Sequence, residues 1–232
     1  MLKGEEMKPY YSDKWVTIYH GDCREILPVF QVLTNMHHGK AMDLVWTDPP
    51  YNVGKDYGVW NDSMADDKYL KFCKEWIKQC KQVAKEIAIY TPTKYLLDYW
   101  EMLGHEFHQI ILTWTPEGAY RNGFVNQFAS ILTDAKPKQR VKDTWSGLQM
   151  RGMGYFFKEN DYGHPGYTGE AITCKVLTSF GDNGGFILDP FLGSGTTCYC
   201  AKKLNRISVG VEIEEKYCEI AAKRCSQMVM EF

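Results

Sequence analysis

The stretch with the clearest chemical capacity is Thr47-Asp48-Pro49-Pro50-Tyr51-Asn52, in which a carboxylate is followed by two prolines and an aromatic ring. Each proline fixes its own φ and restricts the residue before it, so the segment has little freedom to move. Such a loop holds an acceptor carboxylate, a backbone carbonyl and a flat ring in fixed relation, the three things needed to grip a planar ring that bears an amino group. The element that must position it is the preceding apolar run, Asp43-Leu44-Val45-Trp46, which has the length and composition of a buried strand. Proline cannot donate to a sheet ladder, so the strand stops at Pro49. Asp48 then falls at the strand's carboxyl end, where open α/β sheets bind their ligands. In isolation the tetrad would also suit an ordinary turn, so its meaning depends on the rest of the chain.

A second constellation runs from Phe186 to Thr197, with Asp189-Pro190-Phe191-Leu192-Gly193-Ser194-Gly195 between a strand-like and a helix-like stretch. Strand, glycine turn and helix start are the layout of a nucleotide-binding βαβ unit. Gly193 and Gly195 let the backbone turn tightly and approach a ligand, and Thr196 and Thr197 are placed to serve the helix N-terminus. Glu212, at the end of the next strand, follows Gly193 by 19 residues, the usual distance to an acid that binds ribose hydroxyls. No Gly-Lys-Ser/Thr follows, which excludes a Walker P-loop. A dinucleotide site would prefer a third glycine where Cys198 stands, and the Asp189 anion would repel a pyrophosphate but welcome a cationic amino group. S-adenosylmethionine has the ribose, the adenine and the ammonium, and no phosphate.

The remaining pattern supplies a frame for both. Strands are expected at 15–20, 43–47, 87–91, 107–114, 125–132, 185–188 and 207–211. Helices are expected from Ile26 to Leu33 and over 66–85, 93–104, 170–180, 195–205 and 214–230. The 66–85 helix is the strongest, with Tyr69, Phe72, Cys73, Trp76, Ile77 and Cys80 at three- and four-residue steps; this aromatic stripe reads as core packing. Alternating strands and helices imply one doubly wound, mostly parallel sheet covered on both faces. Residues 52–67 form a long aperiodic loop beside a strand's carboxyl end, expected to be a mobile active-site segment. Residues 134–165 form an irregular insert that mixes glycines and the aromatics Trp145, Tyr155, Phe156 and Phe157 with Lys136, Lys138, Arg140, Lys142 and Arg151. That composition suits a nucleic-acid contact surface as well as it suits a solvated loop.

The 232 residues, of formal net charge −2, suffice for one large domain with a real core and carry no global field toward a polyanion. Eight scattered cysteines lack a C-x-x-C pair or a histidine at ligand spacing, so reduced thiols and no metal site are expected. No apolar stretch is long enough to span a bilayer and the N-terminus has no apolar leader. A cytoplasmic protein is expected.

These residues resemble the amino-methyltransferases of DNA, the family that methylates exocyclic nitrogens of adenine or cytosine. Asp48-Pro49-Pro50-Tyr51 resembles its catalytic motif, Asp189 to Gly195 its S-adenosylmethionine motif, and Val209-Gly210-Val211-Glu212 the strand with the ribose-binding acid. Gly21-Asp22 is similar to the segment whose acid contacts the cofactor's adenine. The catalytic motif comes first, the order of the family's β group, and the resemblance covers nearly the whole chain. It implies a single Rossmann-like methyltransferase domain over 1–232. Its implied cofactor set is Asp22, Cys23, His164, Asp189, Phe191, Gly193, Ser194, Gly195, Thr196, Thr197 and Glu212, with Asp48 to Tyr51 around the target base. Hydrogen bonds from the base's amine to Asp48 and to the Pro49 carbonyl would free the nitrogen lone pair, Tyr51 would stack on the base, and the base would be flipped out of its duplex.

In the family these residues resemble, Asp at the first motif position leans toward N6-adenine and Ser toward N4-cytosine. Adenine in DNA is therefore the expected substrate. N4-cytosine transfer and a non-catalytic S-adenosylmethionine- and DNA-binding subunit are the alternatives, and a dehydrogenase is disfavoured because the Asp-Pro-Pro-Tyr loop has no role in one. Members usually carry His-Pro-x-x-Lys-Pro ahead of the cofactor strand, whereas here His164-Pro165 is followed by Thr168-Gly169. The short region between the motifs leaves target recognition to the small insert, the 52–67 loop or a second subunit. The partners raised are DNA, a second copy of the chain and a restriction nuclease, in a bacterial or phage setting.

Overall fold

The computed structural model describes residues 7–36, 42–104, 106–113, 120–121, 124–125, 128–146 and 168–227. The chain opens with β1 (Tyr11–Ser12), β2 (Val16–His20), α1 (Cys23–Met36) and β3 (Met42–Thr47). A small hairpin follows, β4 (Asp56–Tyr57) and β5 (Trp60–Asn61), then α2 (Asp66–Val83), β6 (Ala84–Thr91), α3 (Leu96–Leu103) and β7 (His108–Thr113). A second hairpin pairs β8 (Tyr120–Arg121) with β9 (Phe124–Val125), on either side of Asn122-Gly123, which lie outside the described residues. The rest is β10 (Phe128–Thr133), β11 (Thr144–Ser146), α4 (Glu170–Ser179), β12 (Ile187–Asp189), α5 (Thr196–Lys203), β13 (Ser208–Glu212) and α6 (Glu215–Ser226).

Among the described residues nine strands form one sheet in the order β1-β2-β13-β12-β3-β6-β10-β7-β11. The five strands from β2 to β6 are mutually parallel, with Leu188 paired to Val45 and Val209 to Leu188. β10 runs against both its neighbours, and β11 runs parallel to β7. The mixed, mostly parallel sheet with helices on both faces is the expected architecture. β11 is an addition: hydrogen bonding to β7 orders Thr144–Ser146 as the sheet's last strand, and Trp145 is buried.

Alternation along β3 assigns the faces. Val45 packs with α1, α2 and α3 on one side, whereas Leu44 and Trp46 pack with α4 and α5 on the other. The α2 stripe is core, with Tyr69, Cys73, Trp76 and Ile77 fully buried. Pro28 sits inside α1 and cannot donate to the Arg24 carbonyl one turn back; Gln79 Nε2 on α2 donates to that carbonyl instead, at 3.1 Å. Cys198 and Cys200, two apart on α5, point into different clusters, and all eight cysteines are free. No helix among the described residues is long and apolar enough to cross a membrane.

Candidate active site

Parallel neighbours end on the same rim, so β2, β13, β12 and β3 deliver Gly21-Asp22-Cys23, Glu212-Ile213, Asp189-Pro190-Phe191 and Asp48 to Tyr51 to one edge of the sheet. A cleft of about 690 Å³ opens there, lined by Asp22, Cys23, Asp48 to Tyr51, Phe191 and Glu212 together with Lys55, Tyr57, Trp60 and Phe72. A smaller cavity of about 340 Å³ lies beside it, lined by Asp48, Thr168, Asp189, Gly193, Ser194, Thr196 and Thr197. The structure therefore brings both constellations together. A buried hydrogen bond joins them: Thr47 Oγ1 donates to Asp189 Oδ1 at 2.7 Å.

The glycine bend is shaped by backbone demands. Gly193 and Gly195 have φ of 54° and 86°, the left-handed region that favours glycine. A Cβ on Gly195 would also stand 2.8 Å from the Ala221 Cβ, so α5 and α6 meet at this point only because the side chain is absent. The bend is tied to the ribose-side acid directly, since Gly193 N donates to Glu212 Oε2 at 2.7 Å and Glu214 N to Oε1 at 2.9 Å. Burial lifts the Glu212 carboxyl to about 7 against these two bonds. Thr196 and Thr197 do not cap their helix as expected. Thr197 Oγ1 donates to Asp189 Oδ2 at 2.5 Å, and Thr196 Oγ1 accepts from Arg224 Nη1 at 3.0 Å.

Asp189 is only 3% exposed, and its oxygens already accept from Thr47, Thr197 and the Phe191 amide. Burial raises its pKa to about 6. The carboxylate expected to welcome an ammonium is first of all an internal clamp between β12, β3 and α5. Asp22 is likewise engaged: Arg24 Nε and Nη2 fork its carboxylate, the latter at 2.5 Å, and hold its pKa down against partial burial. The Arg24 guanidinium in turn lies over Phe72 at 5.1 Å.

Asp48 stays partly open to the cleft. Burial raises its carboxyl above the usual aspartate range, while Thr168, Tyr51 and Lys55 pull the other way. Thr168 Oγ1 donates to Asp48 Oδ2. The Tyr51 ring lies parallel to Tyr90, tilted by 7° with centroids 6.4 Å apart, and its hydroxyl is enclosed beside the Asp48 carboxylate.

Of the aromatic wall of the cleft only Phe191 was expected, and Trp60 and Phe72 are additions. Trp60 and Phe72 rings lie 4.4 Å apart, and Phe191 meets Phe72 and Trp76 edge-on at 5.9 and 5.1 Å. Phe72 belongs to the core stripe and to the cleft at once. Nothing in an aperiodic loop marked Trp60. That loop is built around Asp62, 2% exposed, whose carboxylate accepts the amides of Asn52, Val53 and Lys55 at 2.7 to 3.0 Å. At the hairpin tip the Val59 amide donates to Glu214 across the cleft at 2.9 Å.

Lys136, Lys138, Arg140 and Lys142, the described members of the expected nucleic-acid cations, are not gathered at the site. Because β10 runs antiparallel to β6, the chain after Thr133 emerges at the opposite rim. There the Lys136 amide meets Glu86, and Lys138 Nζ donates to Asn183. Arg140 and Lys142 are exposed, Trp145 is buried in the sheet rather than beside them, and Arg151 and His164 lie outside the described residues.

A profile of the DNA methylase family, the N6 and N4 methyltransferases, matches residues 42–223. The chain belongs to that family. It is 32% identical over 213 residues to the type II methyltransferase M.HpaI of Haemophilus parainfluenzae, covering 79% of this chain and 68% of that one. It is 26% identical to M2.DpnII of Streptococcus pneumoniae, over 94% and 92% of the two chains. Among solved structures, PvuII DNA methyltransferase, described as cytosine-N4-specific, superposes with a TM-score of 0.69 at 13% identity, over 97% of this chain and 91% of that one. The M1.HpyAVI–SAM complex does so with 0.66 at 24% identity, over 91% and 99%. These two likenesses establish the fold. Family membership makes the chain an S-adenosylmethionine-dependent DNA amino-methyltransferase.

Proposed function

We propose that the chain methylates the exocyclic N6 of adenine in DNA, at a base flipped into the cleft beside Asp48. The observation that carries this reading is the adjacency of the Asp48 loop and the Gly193 bend on one rim, joined by the Thr47–Asp189 bond. The concave cleft, with aromatic walls and a few carboxylates, has the lining of a small-molecule site. The rings of Tyr51, Tyr57, Trp60, Phe72 and Phe191 line it and offer apolar surface to planar groups.

When bound, S-adenosylmethionine supplies a methyl group on a sulfonium. We assign its ribose to the Glu212 carboxylate and its adenine to the aromatic wall of Phe191, Phe72 and Trp60, near Asp22. Asp48 and the Pro49 carbonyl accept hydrogen bonds from the target amine, favour a pyramidal nitrogen and stabilise the charge that grows on it. Tyr51 stacks on the base. Positioning is the chief demand of the displacement, and the rigid prolines meet it. The preference for adenine rests on Asp at position 48.

The relatives named type II methyltransferases support a modification role beside a nuclease in a bacterial cytoplasm. DNA approaches the carboxyl rim, where Lys55 lines the cleft.

The test is to express the chain in a methylation-deficient host, digest the DNA to nucleosides and weigh them. N6-methyladenine is expected; N4-methylcytosine alone would overturn the base assignment. Asp48→Ala is expected to lower turnover by about 10²–10³-fold or more while S-adenosylhomocysteine still binds. Normal turnover in that variant would remove Asp48 from the chemistry.

A further inference from the structure

Thr168 lies just ahead of α4, and the structure puts its hydroxyl on the Asp48 carboxylate, 120 residues away in the chain. We propose that Thr168 is the positioning residue of Asp48: it holds one carboxylate oxygen so that the other is presented to the target amine in a single orientation. The inference rests on the assignment of Asp48 as the amine's acceptor.

Thr168 can do this because the segment behind it is anchored. Gly169 and Glu170 begin α4 directly after it. Glu170 is held by Arg224 of α6 at 2.8 Å and by Lys203 of α5 at 3.3 Å. One turn into the helix, the Thr173 hydroxyl accepts from Trp46 Nε1 at 3.3 Å, which fixes α4 over the end of β3 two residues before Asp48. The hydroxyl therefore arrives on a rigid mount.

On Asp48 itself, Oδ2 accepts from Thr168, and the Tyr51 phenol is the other donor close to the carboxylate. A carboxylate with both oxygens free would turn about its last bond and offer the amine a range of directions. With one oxygen pinned, the acceptor directions of Oδ1 are set, which is what a displacement limited by geometry requires.

The choice of threonine also sets the charge. The groups around the Asp48 carboxylate are Lys55 on the loop before the hairpin, the Tyr51 phenol on its own loop, Tyr57 of β4, Tyr90 of β6 and the Asp189 carboxyl of β12. Lys55 is the only cation among these, and Asp189 opposes ionisation. A lysine at 168 would add a second cation, whereas threonine gives a neutral donor, so Asp48 remains above the ordinary aspartate range. Removing the donor should push it higher still.

The experiment measures single-turnover methyl transfer from labelled S-adenosylmethionine to unmethylated genomic DNA as a function of pH, at saturating cofactor, for the intact chain and for T168S, T168V and T168K. Circular dichroism melting accompanies each, and calorimetry gives S-adenosylhomocysteine affinity. T168V is expected to lose at least about tenfold in rate and to move the acid limb up by about one pH unit, the worth of a hydrogen bond to a charged group. T168S should stay within about threefold with the parent profile, and T168K should move the acid limb down. A folded T168V with the parent rate and profile, or a T168S as impaired as T168V, would overturn the proposal. Asp48→Asn serves as the control: if it is inactive while T168V matches the parent, only the positioning role fails. If Asp48→Asn turns over normally, the acceptor assignment beneath it fails first.

Discussion

Thr47 donates its hydroxyl to Asp189 at 2.7 Å, within the protein interior and across 142 residues of sequence. The bond locks the last residue of one strand to the last residue of its neighbour, so each motif fixes the height of the other along the rim. Thr47→Val is expected to cost about 1–3 kcal/mol, because the buried carboxylate loses a donor that valine cannot replace. Thr47→Ser should restore most of it. Thermal unfolding reads this directly, at about 2–4 °C per kcal/mol for a chain of this size.

Cofactor affinity should depend on pH through Glu212. Burial holds its carboxyl at about 7 in the free protein, and ribose hydroxyls donating to it favour the ionised form. Affinity for S-adenosylhomocysteine is therefore expected to rise as pH climbs toward 7 and level off above, falling about tenfold per pH unit on the acid side. Calorimetry in two buffers of different ionisation enthalpy should detect proton release on binding below pH 7. Glu212→Gln should flatten the dependence. The same shift has a sign for folding: because the folded pKa is raised, the free protein loses stability from this carboxyl as pH rises from 4.5 to about 7.

Gly195 and Gly184 separate strain from crowding. Both have positive φ, 86° and 76°, but a Cβ on Gly184 meets nothing within 4 Å, whereas one on Gly195 meets the Ala221 backbone and side chain at 2.9 and 2.8 Å. Gly184→Ala should cost about 1 kcal/mol, the left-handed penalty alone. Gly195→Ala adds overpacking of about 1–3 kcal/mol. Denaturant midpoints of the two variants give the difference.

Asp62→Ala tests the loop behind the tetrad. Three amides lose their shared acceptor at once, which loosens the hairpin without opening the core. The expected result is at least a tenfold rise in KM for S-adenosylmethionine, since Tyr57 and Trp60 line the cleft, with melting lowered by only a few degrees. A variant with the parent KM would show that the hairpin takes no part in binding.

The parts of the site legible in sequence were those written in spacing along one segment. The 19 residues from Gly193 to Glu212 became a direct 2.7 Å bond, and the proline stop after Thr47 placed Asp48 on the rim. Strand direction was not legible, because an apolar run reads the same both ways. The reversal of β10, which carries Lys136 and Lys138 to the far edge, is a property of the whole sheet. Trp145 among lysines resembled a surface until pairing with β7 buried it. Phe72 showed its periodicity, but a helix pattern cannot say where a groove begins at its edge. Trp60 sat in a loop with no pattern to read.

The centre of the sheet is filled out of order. β3 is made early, but its neighbour β12 comes from the last quarter of the chain. At roughly 5–20 residues per second, a ribosome needs on the order of ten to thirty seconds between Thr47 and Asp189. Throughout that time the apolar strand has an unfilled flank, which makes it a natural client for a holding chaperone. A chain that stops short of β12 lacks Asp189 and the glycine bend, so methyl transfer waits for the last quarter of the sequence.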